Sequence, residues 1–263
     1  AVPLRCALCV PQRRPIDFEI RREWFRSFFD CFQAVLTPAA FVAKRLAEWG
    51  VPTKKLSVIE NLHPLADQYG KKTSPATDRF GFFAPLTEYK GLAVLLDAAE
   101  KLRAGRKPVE IHIFGEFDEG DPAFQKMMRQ RFALLSESVR YHGGYQAEQS
   151  LQLMQSVDWV VVPSIWWENS PVAIEEALIA GRPVLTSNIG SMLEKVENYA
   201  SGLHFPVGDA EALAETMARV AGDRALWERL VAARRGASTE ADVVEKHLAI
   251  YGLPRKPGAQ AAA

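Results

Sequence analysis

Residues 163–187 read PSIWWENSPVAIEEALIAGRPVLTS. An apolar run ends at Pro163, and a loop then carries Trp166, Trp167 and Glu168. Asn169 or Ser170 stands where a helix wants a cap, Pro171 suits the first helical position, and Gly181 ends the helix before the next apolar run. Strand, helix and strand in so short a span form the unit of a parallel sheet. The first turn of such a helix presents unpaired backbone N–H groups and the positive end of its dipole, a ready site for an anion. Glu168 and Glu176 are eight residues apart, an axial rise of about 12 Å if the whole interval is helical. Carboxylates on both sides of an anion site suit a ligand with hydroxyls on both sides of a diphosphate. A nucleotide sugar has that shape: hexose, two phosphates, ribose.

The same grammar extends through the chain. RFGFFAPL, VEIHIFG, VRYHGGY, DWVVVPSI and PVLTSN are short, almost continuous apolar runs of the kind buried on both faces, separated by helical stretches such as GLAVLLDAAEKLRAG. This alternation predicts an α/β fold with a doubly wound parallel sheet over residues 75–236. Ligands in such sheets sit beyond the carboxyl ends of the strands, at the loops after Phe83, Phe114 with Gly115, Tyr141 with the following Tyr145, and Pro163. Upstream, DFEIRREWFRSFFDCF (17–32) has helical spacing, Ala34–Leu36 reads as a strand, Thr37 and Pro38 open a helix that ends at Gly50, and KLSVIEN (55–61) reads as another strand. Two strands do not make an independent parallel-sheet domain. Residues 1–62 are therefore expected to be the end of a first domain whose earlier part lies outside this chain. A helix around 211–220, a last helix within 237–255 and a frayed PGAQAAA tail complete the pattern.

Lys+Arg and Asp+Glu each number 32 in 263 residues, with 48% hydrophobic residues. That balance fits a globular protein and gives no reason to expect a nucleic-acid partner. No run approaches the ~18 apolar residues of a membrane-spanning helix. Three cysteines, Cys6, Cys9 and Cys31, are too few for a disulfide framework and predict a cytoplasmic setting. Cys6 and Cys9 form a lone CxxC, read as free thiols because a zinc site needs about four ligands.

At this point a family resemblance enters. The order of strand, loop, E-x7-E helix and G-x-PV resembles the signature of the family 4 retaining glycosyltransferases of the two-domain GT-B architecture. VLTPAAFVAKRLAEWGVPTKKLSVIEN (35–61) is similar to the end of that family's first domain. FGFFAPLTEYKG (80–91) resembles its first donor loop, and IGSMLEKVENYASGLHFPVGD (189–209) the segment after the glutamate helix. CALCV before a long helix resembles a bacterial branch with several first-domain cysteines. The resemblance implies a nucleotide-sugar donor, no metal or other cofactor, and a glycan or lipid-linked acceptor. It also implies membrane association, if any, through the first domain at the inner face. Carried over residue by residue, it puts Glu176 on the ribose hydroxyls, Glu168 near the donor sugar, and the backbone of Asn169, Ser170, Pro171 and Val172 along sugar and phosphate. Lys90 would stabilise the leaving diphosphate, and Tyr145 would border the base. Where the family usually has Arg five residues before that Lys, this chain has Pro85.

Plainer readings stand beside these. Glu175 reads as a solvated face residue, His112 as a structural residue of its strand, and Trp166 and Trp167 either pack the loop or touch sugar. A sugar-nucleotide epimerase and a degenerate, non-enzymatic nucleotide-binding scaffold are the competing functions. The chain on its own is expected to bind nucleotide and to transfer no sugar.

Overall fold

The computed structural model describes residues 6, 8, 10–62, 77–118, 121–233 and 240–254. Cys9, the limits at Pro75 and Gly236 and the PGAQAAA tail lie outside them. The chain divides into two compact units, residues 1–61 with 241–263 and residues 62–240.

The larger unit is built on one parallel sheet. Its strands are β3 (Arg79–Phe83), β4 (Glu110–Phe114), β5 (Val139–Gly143), β6 (Trp159–Val162), β7 (Val184–Ser187) and β8 (Gly202–Phe205), in spatial order β5-β4-β3-β6-β7-β8. The connecting helices are α3 (Leu92–Ala104), α4 (Pro122–Leu134), α5 (Ser150–Gln155), α6 (Val172–Ile179), α7 (Met192–Lys195), α8 (Ala210–Val220) and α9 (Arg224–Ala233). Alternation along each strand sends side chains to two separate cores. Phe80, Phe82, Trp159 and Val161 join residues of α3, α4, α8 and α9 on one face. Phe83, Val160 and Val162 join Ile174 and Ala177 of α6, Met154 and Met192 on the other. Covering both faces removes β-branched and aromatic side chains from water, the main favourable contribution to folding. At the amino end of the sheet, buried Asp158 accepts hydrogen bonds from the backbone and guanidinium of Arg79, and its carbonyl accepts from Trp227. That pairing raises the Arg79 pKa against the opposing effect of burial.

The chain runs outward from β3 through β4 to β5 and then returns to β6 on the other side of β3. The helices that follow β3 and β6 therefore pack on opposite faces of the sheet, the topological switch at whose strand ends a crevice forms. β8 is a strand the sequence reading left inside the segment after the glutamate helix. GLHF is short, and Gly202 weakens its strand signal. Its glycine is required by packing, since a Cβ there would lie 2.0 Å from the Val184 carbonyl oxygen.

In the smaller unit α1 (Pro15–Phe29) precedes β1 (Val35–Thr37), α2 (Ala40–Trp49) and β2 (Leu56–Val58), with β1 and β2 paired in parallel as a separate two-stranded sheet. The final helix is α10 (Glu240–Tyr251). Thr37 does not cap α2 as expected. It ends β1, its hydroxyl donates to the Ala39 carbonyl, and Ala39 is the N-cap. Pro38 consequently stays in the connection, while Gly50 closes α2 in the left-handed region, φ 110.

Candidate functional site

A cleft of about 840 Å³ lies at the carboxyl ends of β3, β4, β5 and β6. Lys90, Gly115, Tyr145, Glu168, Ser170, Pro171, Val172 and Glu176 all line it. They run from Lys90 to Glu176, 86 residues apart in sequence, and the strand order alone brings them together. Gly115 is needed at its place. Its φ is 147, and a Cβ would sit 1.9 Å from the Ala84 carbonyl oxygen. Of the residues expected at the site, exposed Asn169 is not part of the lining.

The helix start differs from the sequence reading. Pro171 is the N-cap of α6, helical backbone begins at Val172, and no side chain caps the helix. Neither Asn169 nor Ser170 is the N-cap, and the Ser170 hydroxyl points elsewhere, donating to Glu175 Oε1 at 3.1 Å. Glu175 is correspondingly not a solvated residue. Its side chain is 12% exposed and pairs with Lys195 Nζ at 2.8 Å. No side chain caps the first turn of α6, and Pro171, Val172 and Ala173 at that helix start form part of the cleft wall.

Glu168 lies in the loop before α6, so the interval to Glu176 is not a helical rise. Its Oε1 accepts from Lys90 Nζ at 2.7 Å and from the Ser164 hydroxyl at 2.5 Å. The backbone carbonyl of Glu168 accepts from Ser191 Oγ at 2.6 Å, which fixes the loop from behind. An ammonium and a carboxylate thus meet at the cleft wall beside the helix start. Such a cation, held without reorganisation, can neutralise charge developing on a leaving phosphate.

Glu176 is buried deeper, 8% exposed, and accepts from the buried Ser150 hydroxyl at 2.8 Å. Its proximity, after the larger effect of burial, pushes the Tyr145 phenol up to about 12. Tyr145 therefore stays a neutral donor throughout the biological range. Its ring stands edge-on to Phe83 and Phe114, centroids 6.0 and 6.5 Å away. Those two rings are stacked, 4.7 Å apart, and the stack continues through His142 at 4.4 Å. His112 Nδ1 and His142 Nε2 are 3.0 Å apart, so His112 has the structural setting its strand position suggested. Burial holds both imidazoles below their usual pKa. Pro85 also lines the cleft and supplies no charge, leaving Lys90 as the cation of the β3 loop.

A doubly wound sheet whose switch-point cleft combines a helix start, a lysine and two carboxylates defines an α/β unit with a polar cleft at its strand ends. Comparison with known proteins is more specific. The family model described as "Glycosyl transferases group 1" matches residues 70–236, more than half of the chain, and the chain belongs to that family. It is 29% identical over 238 residues to the amylovoran biosynthesis glycosyltransferase AmsK of Erwinia amylovora, covering 87% of this chain and 57% of that protein. It is 30% identical over 144 residues to the phosphatidyl-myo-inositol mannosyltransferase of Mycobacterium leprae, covering 55% and 37% respectively. The chain thus spans roughly a third to somewhat over half the length of these curated relatives. Among solved structures, Anabaena HepE in complex with UDP and glucose superposes with a TM-score of 0.65 at 21% identity, covering 88% of this chain and 65% of that one. TarM gives 0.73 at 18%, covering 87% and 45%. These likenesses show the GT-B type of fold.

Proposed function

We propose that this chain forms the donor side of a glycosyltransferase that moves a sugar from a nucleoside diphosphate to a glycan or lipid-linked acceptor. The anomeric configuration is retained, and no metal is used. The observation that carries this reading is the convergence of Lys90, Glu168 and the uncapped start of α6 on one wall of the cleft, with Glu176 deeper within it. Ribose hydroxyls donate to Glu176, the diphosphate lies along the first turn of α6, and the sugar projects toward Glu168. The Lys90 ammonium exchanges part of its contact with Glu168 for phosphate oxygen as the glycosidic bond breaks. The departing phosphate takes the acceptor proton, so the chemistry asks for no side-chain base. The UDP and glucose of HepE and the mannosyl transfer named for the mycobacterial relative support this reading. The cytoplasmic setting inferred from the sparse cysteines belongs to the same proposal.

The test is a thermal-shift screen of sugar nucleotides. A ligand that binds only the native state at a hundred times its Kd adds about 2.7 kcal/mol of stability. A positive donor and candidate acceptors are then offered to a protein in which this donor side is joined to a complete acceptor-side domain, and the anomeric configuration of product is read by NMR. Retained configuration is expected; an inverted product refutes the retaining mechanism. Absence of protection by every sugar nucleotide refutes the donor assignment.

A further inference from the structure

The loops after β3 and β6 are fastened to each other at several points. Lys90 pairs with Glu168, and the backbone N–H of Ile165 donates to the Tyr89 carbonyl at 3.0 Å. Gly91, at φ 74, passes so close to Pro163 that a Cβ would lie 1.9 Å from its carbonyl oxygen. Finally, the rings of Tyr89 and Trp166 meet edge-on, centroids 5.7 Å apart at 65°. None of the first three ties depends on an aromatic side chain at 89 or 166.

Both rings are nevertheless large and open to water. Tyr89 is 58% exposed and Trp166 59%. They flank the lining residues in sequence, Tyr89 next to Lys90 and Trp166 two before Glu168, yet they stand outside the cleft lining themselves. Trp167 is also 50% exposed, but its backbone is held differently. Its Cα would be 3.2 Å from a Cβ on Gly190, so its backbone is packed into the loop. Exposed aromatic surface carried by the loops that bound a polar cleft fits a contact surface for a further ligand.

We infer that Tyr89 and Trp166 form a stacking platform for a pyranose ring of the acceptor, beside the donor cleft and distinct from it. The inference rests on the reading of the cleft as the donor site. One face of a pyranose is a set of C–H bonds with partial positive charge, and an aromatic face is negative, so the two attract while the sugar hydroxyls remain hydrated at the rim. Two rings at a steep angle make a corner. A sugar lying on one ring abuts the other, which limits how it can turn. Because the same loops carry Lys90 and Glu168, a sugar seated there is presented at the donor end where transfer takes place, and such positioning accounts for much of a transferase's rate.

The experiment is saturation-transfer NMR on the 263-residue chain with the methyl α-glycosides of glucose, galactose and mannose as probes, in saturating UDP so that the donor cleft is filled. Thermal protection by UDP, GDP and ADP is measured on the same samples. The inference predicts transfer to the ring C–H hydrogens of at least one glycoside. The signal should fall about fivefold in Trp166→Ala, the scale of one aromatic contact, and be largely kept in Trp166→Phe. Nucleotide protection should be equal in all three proteins, which also shows that the variants fold. Undiminished transfer in Trp166→Ala overturns the platform. So does the absence of transfer to any glycoside in a wild-type protein that UDP, GDP or ADP protects. If none of these nucleotides protects, the donor reading falls and the platform with it.

Discussion

The two units use the same alternation of strand and helix with opposite results. In the larger, six strands are covered on both faces, and Leu95, Ile111, Trp159 and Ile174 are fully buried. In the smaller, β1 and β2 are three residues each, and α1 contains no buried residue. Ile16, Ile20, Trp24 and Phe28 follow one another at four-residue spacing along α1 and are 51%, 61%, 57% and 43% exposed. Apolar periodicity is thus present in both. What makes it a core is a sheet wide enough to take helices on both sides. The difference teaches that a periodic stripe specifies a helix and a face, while burial depends on what that face meets.

Substitutions in the two units should separate accordingly. Leu95→Ala should destabilise by about 2–5 kcal/mol, the cost of a cavity in a fully packed site. Ile20→Ala in α1 should stay within about 0.5 kcal/mol because the side chain is mostly exposed and little packing is lost. Denaturant midpoints with unchanged m-values measure both; equal effects would mean that α1 is buried in solution.

Within the larger unit the next effect concerns ligand. Lys90→Ala should lower nucleoside diphosphate affinity about thirtyfold, since a charged hydrogen bond contributes ~2 kcal/mol. Its effect on stability should be small, because the Lys90–Glu168 pair is partly solvated, with 32% of the lysine side chain exposed. Glu176→Ala should weaken nucleotide binding about tenfold, while Glu168→Ala spares nucleotide affinity and lowers transfer. Calorimetry with the nucleotide found by screening decides this, and equal losses in the two glutamate variants would contradict the division of roles.

The wall of the cleft formed by the β6 loop and α6 was legible in the sequence because its parts are local. The apolar run to Pro163, the proline before α6 and the glycine after it lie in one segment. The family resemblance then supplied the register that singles out Glu168, Glu176 and Lys90. Long-range competition was not legible. Ser170 looks like a cap until Glu175 is placed within reach of its hydroxyl by the Lys195 pair, and nothing near residue 170 announces a lysine 25 residues on. Likewise Thr37 loses its capping role because strand pairing with β2 runs through it. The stack linking Phe83, Phe114 and His142 crosses three strands whose order no local pattern reveals.

The smallest expected effect is a pH dependence of the larger unit. Burial lowers the pKa of His112 and His142 from 6.5, with Glu110 opposing the shift in His112 and Arg140 and Arg79 adding to it; Arg140 and His112 itself add to the shift in His142. A lowered folded-state pKa means that the unfolded chain binds protons first. The neutral pair's contribution is therefore complete above the unfolded value and lost as pH falls through the folded values. Unfolding stability should drop between pH 7 and 5 by less than about 1 kcal/mol, given the exposure of His142. His142→Phe, which keeps the stack on Phe114, should flatten that drop; a slope unchanged in the variant would assign it to other groups.

The central claim is that the cleft of the larger unit is a nucleotide-sugar site. Hydrogen exchange of the chain with and without the nucleotide found in the screen tests it most directly. Protection should appear at the amides of Val172 and Ala173 and around Lys90, with α1 exchanging as before. Protection confined to α1, β1 and β2, with the start of α6 unchanged, would contradict it.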